Sequence, residues 1–430
     1  MMKAGSILKL LMLMLAGVLA LNGTSTASTV KIIYSFCEGG QCQGGYYPYG
    51  DMVADNSGNL FGTVEFLGQH QGGAIFELSP NQNRDQWTYK TVYNFCSQPD
   101  CADGDEPYGK LVIDKAGNLY GGTTFGGTGS GVIFELSPNG TYTILYTLCP
   151  GGGYCSDGLQ PINLTYVGAS TGAAYDGTSP LFGTTSGGAN NYGNVFSLSN
   201  NGNNTWSYSV IHAFCSLDKC ADGKRPFGLA SNTDGTLFGI AVRGGEHKHG
   251  LVFKLSEGDN DQWNETLLHD FCQTGRCTDG AEPFSLSIGS DGALYGTTLA
   301  YGPNCSVQHI KHQCGSIFRI NMDGTDYSLL YGFCAQTKQQ KCVDGRTPME
   351  MTEIEPNDFV GTTYYGGAKD FGTIFEFHNG SFQSLHQFCG CKRDGKWPTT
   401  GLTADGTGTL FGATLEGGAY GYGAVYEISP

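Results

Sequence analysis

The sequence predicts an all-β fold, a seven-bladed β-propeller with four-stranded blades, closed by an N-terminal outer strand pairing with the C-terminal blade. Three observations predict it. Seven imperfect copies of one unit run from residue 30 to the end, each unit divides into four strand-length segments, and the two chain ends each carry part of a single unit. The composition agrees: 68 glycines, 24 tyrosines and 24 phenylalanines with few charges suit short aromatic strands joined by tight turns. No stretch beyond the first thirty residues keeps a helical period, so almost no helix is expected.

The first element is a leader. Lys3 and Lys9 precede the apolar run Leu10 to Leu21, and the small residues Thr24-Ser25-Thr26-Ala27-Ser28 follow it. That is the layout of a secretory signal peptide over residues 1–28. Residues 29–430 then form one propeller domain, because the repeat continues without a linker. No later segment approaches the roughly 20 apolar residues that a membrane span needs. The expected protein is secreted, extracellular and monomeric.

The blades are read from three signatures. Strand b ends in aromatic-glycine, at Phe61-Gly62, Tyr120-Gly121, Phe182-Gly183, Phe238-Gly239, Tyr295-Gly296 and Phe411-Gly412, with Val360-Gly361 the degenerate copy. Strand c opens on Gly-x-Ile/Val-aromatic, as in Gly73-Ala74-Ile75-Phe76 and Gly250-Leu251-Val252-Phe253. Strand d ends at a cysteine, usually followed by a second cysteine, Asp-Gly and the proline that leads into strand a. Val30 to Phe36 is a lone strand d and Ile428 closes a strand c, so pairing the ends completes the seventh blade. An open solenoid would need polar caps instead of such sharing.

The blocks Asp-Gly-x-x-Pro, Asp-Gly-x-Leu-Tyr-Gly-Thr-Thr, Gly-Gly and Gly-Thr-Ile-Phe-Glu resemble those of the GloVer tandem-repeat proteins, best over residues 291–298 and 361–376. The resemblance covers essentially all of the chain after the leader. It implies an extracellular, propeller-like bacterial protein and carries no biochemical activity with it. The paired cysteines are additional to that family's pattern.

Sixteen cysteines in an exported chain point to disulfides, one pair in each loop between strands d and a. The pairs are Cys37 with Cys42, Cys96 with Cys101, Cys149 with Cys155, Cys215 with Cys220, Cys272 with Cys277, Cys334 with Cys342, and Cys389 with Cys391. An eighth, Cys305 with Cys314, lies in a long b-to-c loop. Zinc is the competing reading, against which stand the C-x4-C spacing and the oxidising compartment. Cys389-Gly390-Cys391 fits least well and is open, reducible or joined elsewhere. Asp103, Asp157, Asp222, Asp279, Asp344 and Asp394 repeat at the Asp-Gly position, which suggests turn formation rather than a ring of catalytic carboxylates.

Loss of the leader removes two lysines and no acids, taking the net charge from −16 to −18. Such a surface repels phosphate backbones, so nucleic acid is not an expected partner. Function is sought where the copies break their pattern on the loop-rich face. His247 and His249 in the fourth blade, with His309 and His312 in an insertion of the fifth, offer four imidazoles on adjacent loops. No cofactor is named by the sequence, but these four are candidate ligands for a divalent metal or candidate general bases. Charges end strand b at Glu65, Arg243 and Glu416, and blades one and seven are neighbours in a closed ring. Glu65 and Glu416, with Asp51 nearby, are therefore a candidate carboxylate pair. Tyr46, Tyr47, Tyr365, Trp397 and Tyr420, with Tyr49, Tyr108, Tyr364 and Tyr422, cluster in or beside the same loops as candidate ligand platforms.

The expected function is recognition of an extracellular glycan or protein at this face. The alternative is a carbohydrate-active enzyme: a polysaccharide lyase using the histidines and Arg243, or a glycoside hydrolase using Glu65 and Glu416.

Overall fold

The structure is a computed structural model and describes residues 29–40, 42–305, 312–405 and 407–429. The expected leader and His309 lie outside the described residues. Seven antiparallel sheets form a ring, each with its strands in the order a-b-c-d. In blade four these are Lys224–Ser231, Leu237–Arg243, Leu251–Glu257 and Trp263–Asp270. Helix among the described residues is confined to three-residue 3-10 turns. The ring closes as the divided unit predicts. Thr29–Ser35 pairs antiparallel with Ala424–Ser429, placing Val30 opposite Ile428 and Tyr34 opposite Val425.

The repeat signatures are explained by packing. Strand c points its phenylalanine across the b-strand glycine: a Cβ on Gly239 would lie 2.3 Å from Phe253 Cζ. Those phenylalanines are fully buried, as are the isoleucines and valines that precede them, and they fill the space between blades. Burying one such ring stabilises the fold by roughly 2–3 kcal/mol. Tyr426 is the exception at this position, and its hydroxyl is buried without a hydrogen-bond partner.

The opening glycine of strand c serves the next blade. Gly250 has φ +95°, and a Cβ there would meet Pro283 Cδ of blade five at 2.5 Å. The residue before that proline then donates its backbone N–H back to the b-to-c loop, Glu282 N to His249 O at 2.8 Å. The same latch joins Glu106 to Gly72, Gln160 to Ser130, Arg225 to Tyr192, Thr347 to Cys314 and Trp397 to Phe371, at 2.7–3.0 Å. Tyr47 to Tyr422 is longer, at 3.5 Å.

At the rim, strands d of adjacent blades stack aromatic rings. Tyr34 lies on Tyr89, Tyr93 on Tyr142, Tyr146 on Tyr208, His269 on Tyr327 and Tyr331 on Phe382, with centroids 3.8–4.4 Å apart. The interface of blades three and four replaces the stack with His212 and Glu265, whose Nε2 and Oε2 are 3.6 Å apart.

All eight cysteine pairs are bonded; Cys389 and Cys391, whose spacing fits least well, are joined to each other rather than left open or joined elsewhere. The repeated aspartates organise the disulfide loops. Asp103 accepts hydrogen bonds from the N–H groups of Ser97 and Gln98 and from the hydroxyls of Ser97 and Tyr93. Asp344 accepts from Tyr331 and the Ala335 N–H, and Asp394 from the Cys389 N–H.

Candidate functional site at the channel mouth

Strands a line the axis, and the proline in each places a fixed set of side chains around the mouth. The residue before it is left-handed in every blade: Tyr47, Glu106, Gln160, Arg225, Glu282, Thr347 and Trp397 all have φ between 53° and 59°. This conformation costs a non-glycine residue roughly 1–2 kcal/mol, and a following proline disfavours the α region further. The inter-blade N–H bond holds each residue there. One residue after the proline, Tyr49 stacks on Tyr108 with centroids 4.7 Å apart, and Phe227 on Phe284 at 4.6 Å.

The position after that breaks the repeat. Its residues are Gly50, Gly109, Asn163, Gly228, Ser285, Glu350 and Thr400, so the single acid is Glu350. Glu350 hydrogen-bonds Asp51 of blade one, reaching past blade seven, and burial followed by the Asp51 charge pushes its carboxyl well above the usual range. Asp51 also accepts the Gly401 N–H at 2.6 Å and faces Lys110 Nζ at 4.0 Å. Glu350, Lys110 and Glu106 were not singled out by the sequence. Aligning the seven copies at the proline exposes all three.

Glu65, on strand b of blade one, is half-buried. Burial first, and the Glu106 charge second, push its carboxyl up to about 7. Its own charge acts on Tyr49 and Tyr108. Glu416 stands one position further along its strand: Lys396 faces it in the pairing register, whereas Phe66, not Glu65, faces Tyr46 in blade one. The two acids therefore point to opposite faces of their sheets. Glu416 is bound by Lys396 Nζ at 2.6 Å and acts on Tyr47 and Tyr364. The two acids act on different tyrosines, and the link between the two sets is Tyr364, which feels both Glu416 and Tyr49.

The aromatic candidates do gather on blades six, seven and one. Trp397 lies nearly parallel to Tyr364, with ring centroids 6.2 Å apart and Lys396 Nζ 4.4 Å from the indole. Tyr46 packs edge-on against Tyr47 at 4.4 Å and Tyr422 at 5.6 Å. Burial, then the charges of Tyr365, Tyr49, Glu416 and Tyr47, push the Tyr364 hydroxyl up to about 12. Tyr365 is covered by the Arg346 guanidinium, 4.2 Å from its centroid, which also pairs with Asp370. Tyr420 is exposed near Tyr34 at the rim, away from the mouth.

Of the described histidines of blades four and five, His247 is held by a carboxylate while His249 and His312 share one tyrosine ring. His247 Nδ1 is 2.6 Å from Asp270 Oδ2. His312 stacks on Tyr301 at 4.5 Å, and His249 meets the same ring edge-on at 5.6 Å. Among the described residues, the groups with metal-ligand geometry are His249 with Cys272 and Cys277, and Cys389 with Cys391 and Asp394. In both, the sulfurs are tied up in disulfides. Arg243 is paired with Glu282 at 2.9 Å.

Comparison with known families places residues 17–180 and 275–430 in the Gloeobacter/Verrucomicrobia repeat. The chain belongs to that family. No curated protein matches it. Among solved structures, this Gloeobacter/Verrucomicrobia repeat protein is similar to the extracellular domain of a putative hybrid two-component system, BT4673, from B. thetaiotaomicron. There the TM-score is 0.55 at 12% identity, over 94% of this chain and 42% of that one. It is also similar to a chain of a nidogen/laminin complex (TM-score 0.42, 12% identity, 76% of this chain and 93% of that one) and to a puromycin-hydrolysing peptidase of Mycobacterium tuberculosis (0.49, 10%, 86% and 50%). At these identities the likeness is one of fold, and the BT4673 domain supports the ring of blades described above.

Proposed function

We propose that residues 1–28 direct export and that residues 29–430 act as one extracellular recognition domain, binding a glycan at the channel mouth of blades six, seven, one and two. The observation that carries this reading is the aromatic arc of Trp397, Tyr364, Tyr47 and Tyr46, set beside Glu65, Glu416 and Lys396. Flat rings stack on the apolar faces of pyranoses while neighbouring charged groups hydrogen-bond the hydroxyls. Eight disulfides suit an oxidising compartment. An extracellular domain among the structural neighbours points the same way.

The test is calorimetric titration of the purified protein with neutral and acidic polysaccharides. Binding to a glycan that weakens at least tenfold in Trp397→Ala and Tyr364→Ala supports the reading. Binding that survives both substitutions refutes the arc as the site, and absence of binding to every glycan refutes the ligand class.

A second reading rests on Glu65 alone. A half-buried carboxyl held up to about 7 retains a proton near neutrality and has the character of a general acid. Release of reducing ends from a bound glycan, abolished by Glu65→Gln, would make the protein a hydrolase. Binding without turnover leaves it a recognition module.

A further inference from the structure

The eight disulfides are not equivalent. Seven join cysteines five to nine positions apart, and Cys389–Cys391 joins positions two apart. The loop entropy that a disulfide removes from the unfolded chain grows with loop length, so this bond is the least protected of the eight by that contribution. It is also the most accessible, since Cys391 is the one exposed cysteine of the sixteen.

Its surroundings favour exchange. Lys392 and Arg393 follow Cys391 directly, both exposed, and among the described residues neither forms an ion pair. The nearby carboxylate, Asp394, is already engaged by the N–H groups of Cys389 and Gly395 and by His386 Nε2. An Asp394 oxygen lies within 4.8 Å of both sulfurs, so what Lys392 and Arg393 supply is two exposed positive charges beside Cys391 that draw in an approaching thiolate. The backbone N–H of Cys391 points at Cys389 Sγ, 3.4 Å away, and is placed to hold that sulfur once it is released. Exposed disulfides are the labile, regulatory and catalytic ones.

We propose that Cys389 and Cys391 form a redox centre that exchanges disulfides with a dithiol, a compound or peptide carrying two neighbouring thiols. A substrate thiolate attacks the exposed Cys391 Sγ, forms a mixed disulfide and releases Cys389 as a thiolate. The second substrate thiol, losing its proton, attacks the mixed disulfide, closes the substrate disulfide and releases Cys391. Two electrons and two protons have then passed to the protein pair. A low-molecular-weight disulfide of the glutathione type restores it by the reverse exchange. The centre stands on its own and does not depend on glycan binding.

Two measurements on the full mature chain test this. In the first, the oxidised protein is equilibrated across glutathione/glutathione disulfide buffers, its thiols are alkylated, and the peptides are mapped. The 389/391 pair is expected to reduce at a buffer ratio at least tenfold less reducing than any other pair. Reduction together with, or after, the other seven overturns the proposal, and this result needs no variant.

In the second, oxidation of a synthetic bis-cysteinyl peptide and of dithiothreitol is followed with glutathione disulfide as terminal oxidant. Acceleration of at least fivefold over the uncatalysed rate is expected. Cys389→Ser/Cys391→Ser should lose it, and Lys392→Glu/Arg393→Glu should slow it severalfold. Acceleration of both substrates, or of one alone, supports the centre and identifies which source of dithiol it accepts. Acceleration of neither, or acceleration unchanged in the double serine variant, overturns it.

Discussion

Replacing Glu265 with glutamine should flatten the alkaline side of the stability profile. The pair sits between strands d of blades three and four, where five of the six other such contacts stack aromatic rings. Burial first, and the Asp222 charge second, push Glu265 up to about 8 from 4.5. Burial pushes His212 below its usual 6.5, against the opposing pull of Asp222. A raised acid destabilises the fold as pH climbs from its unfolded value to its folded one. A depressed histidine destabilises it as pH falls below its unfolded value. Between 4.5 and 6.5 the two slopes oppose each other. From 6.5 to about 8 the folded chain binds one proton more than the unfolded chain, so stability falls with rising pH.

One and a half pH units at about 1.4 kcal/mol each give a loss of about 2 kcal/mol. For a domain of about 400 residues, with an unfolding entropy near 2.1 cal/mol/K per residue, that amounts to ~2.5 °C in Tm. Thermal melts followed by circular dichroism, wild type beside Glu265→Gln, should show the variant gaining about that much on the wild type between pH 6.5 and 8.5. Glu65 and the other titrating groups are common to both proteins and cancel. A difference that stays constant, or shrinks, over this interval would refute the assignment of the proton to the pair.

Gly250→Ala should destabilise by roughly 2–4 kcal/mol, because the new Cβ enters Pro283 at a left-handed position; denaturant titration measures it. Tyr142→Phe removes a buried hydroxyl that donates to the Asp103 carbonyl at 2.6 Å, and should cost about 1 kcal/mol. Asp103→Ala leaves the Ser97 and Gln98 N–H groups and two hydroxyls without their acceptor. Its expected loss is roughly 2–3 kcal/mol, with faster amide exchange confined to residues 95–105. Intact-mass measurement after complete reduction should show sixteen hydrogens gained, two for each of the eight bonds.

The ring was legible because its determinants are local and repeated. A glycine facing a phenylalanine and a glycine facing a proline recur at fixed spacing, and the split seventh unit shows at both ends. Cysteine pairing was legible because each bond closes within one loop. The site was less so. Glu65 stands three residues beyond Gly62 and Glu416 four beyond Gly412, and that difference alone turns them to opposite faces. Reading both simply as charges at the end of strand b hides it. Glu350 looks ordinary within its own segment and stands out only when all seven prolines are aligned. The engagement of His247 by Asp270, and of His249 and His312 by the one ring of Tyr301, depends on loop turns that no periodicity encodes.

The pre-proline position behaves as a socket. Its backbone is fixed by a bond to the neighbouring blade, yet it holds Tyr, Glu, Gln, Arg, Glu, Thr and Trp in turn. Conformation and chemistry are thereby uncoupled: the main chain fits in the same way whichever side chain it carries. A lineage bearing this ring can change the character of its mouth one blade at a time, and each change leaves the six other positions undisturbed. A laboratory library confined to these seven codons would draw on the same freedom.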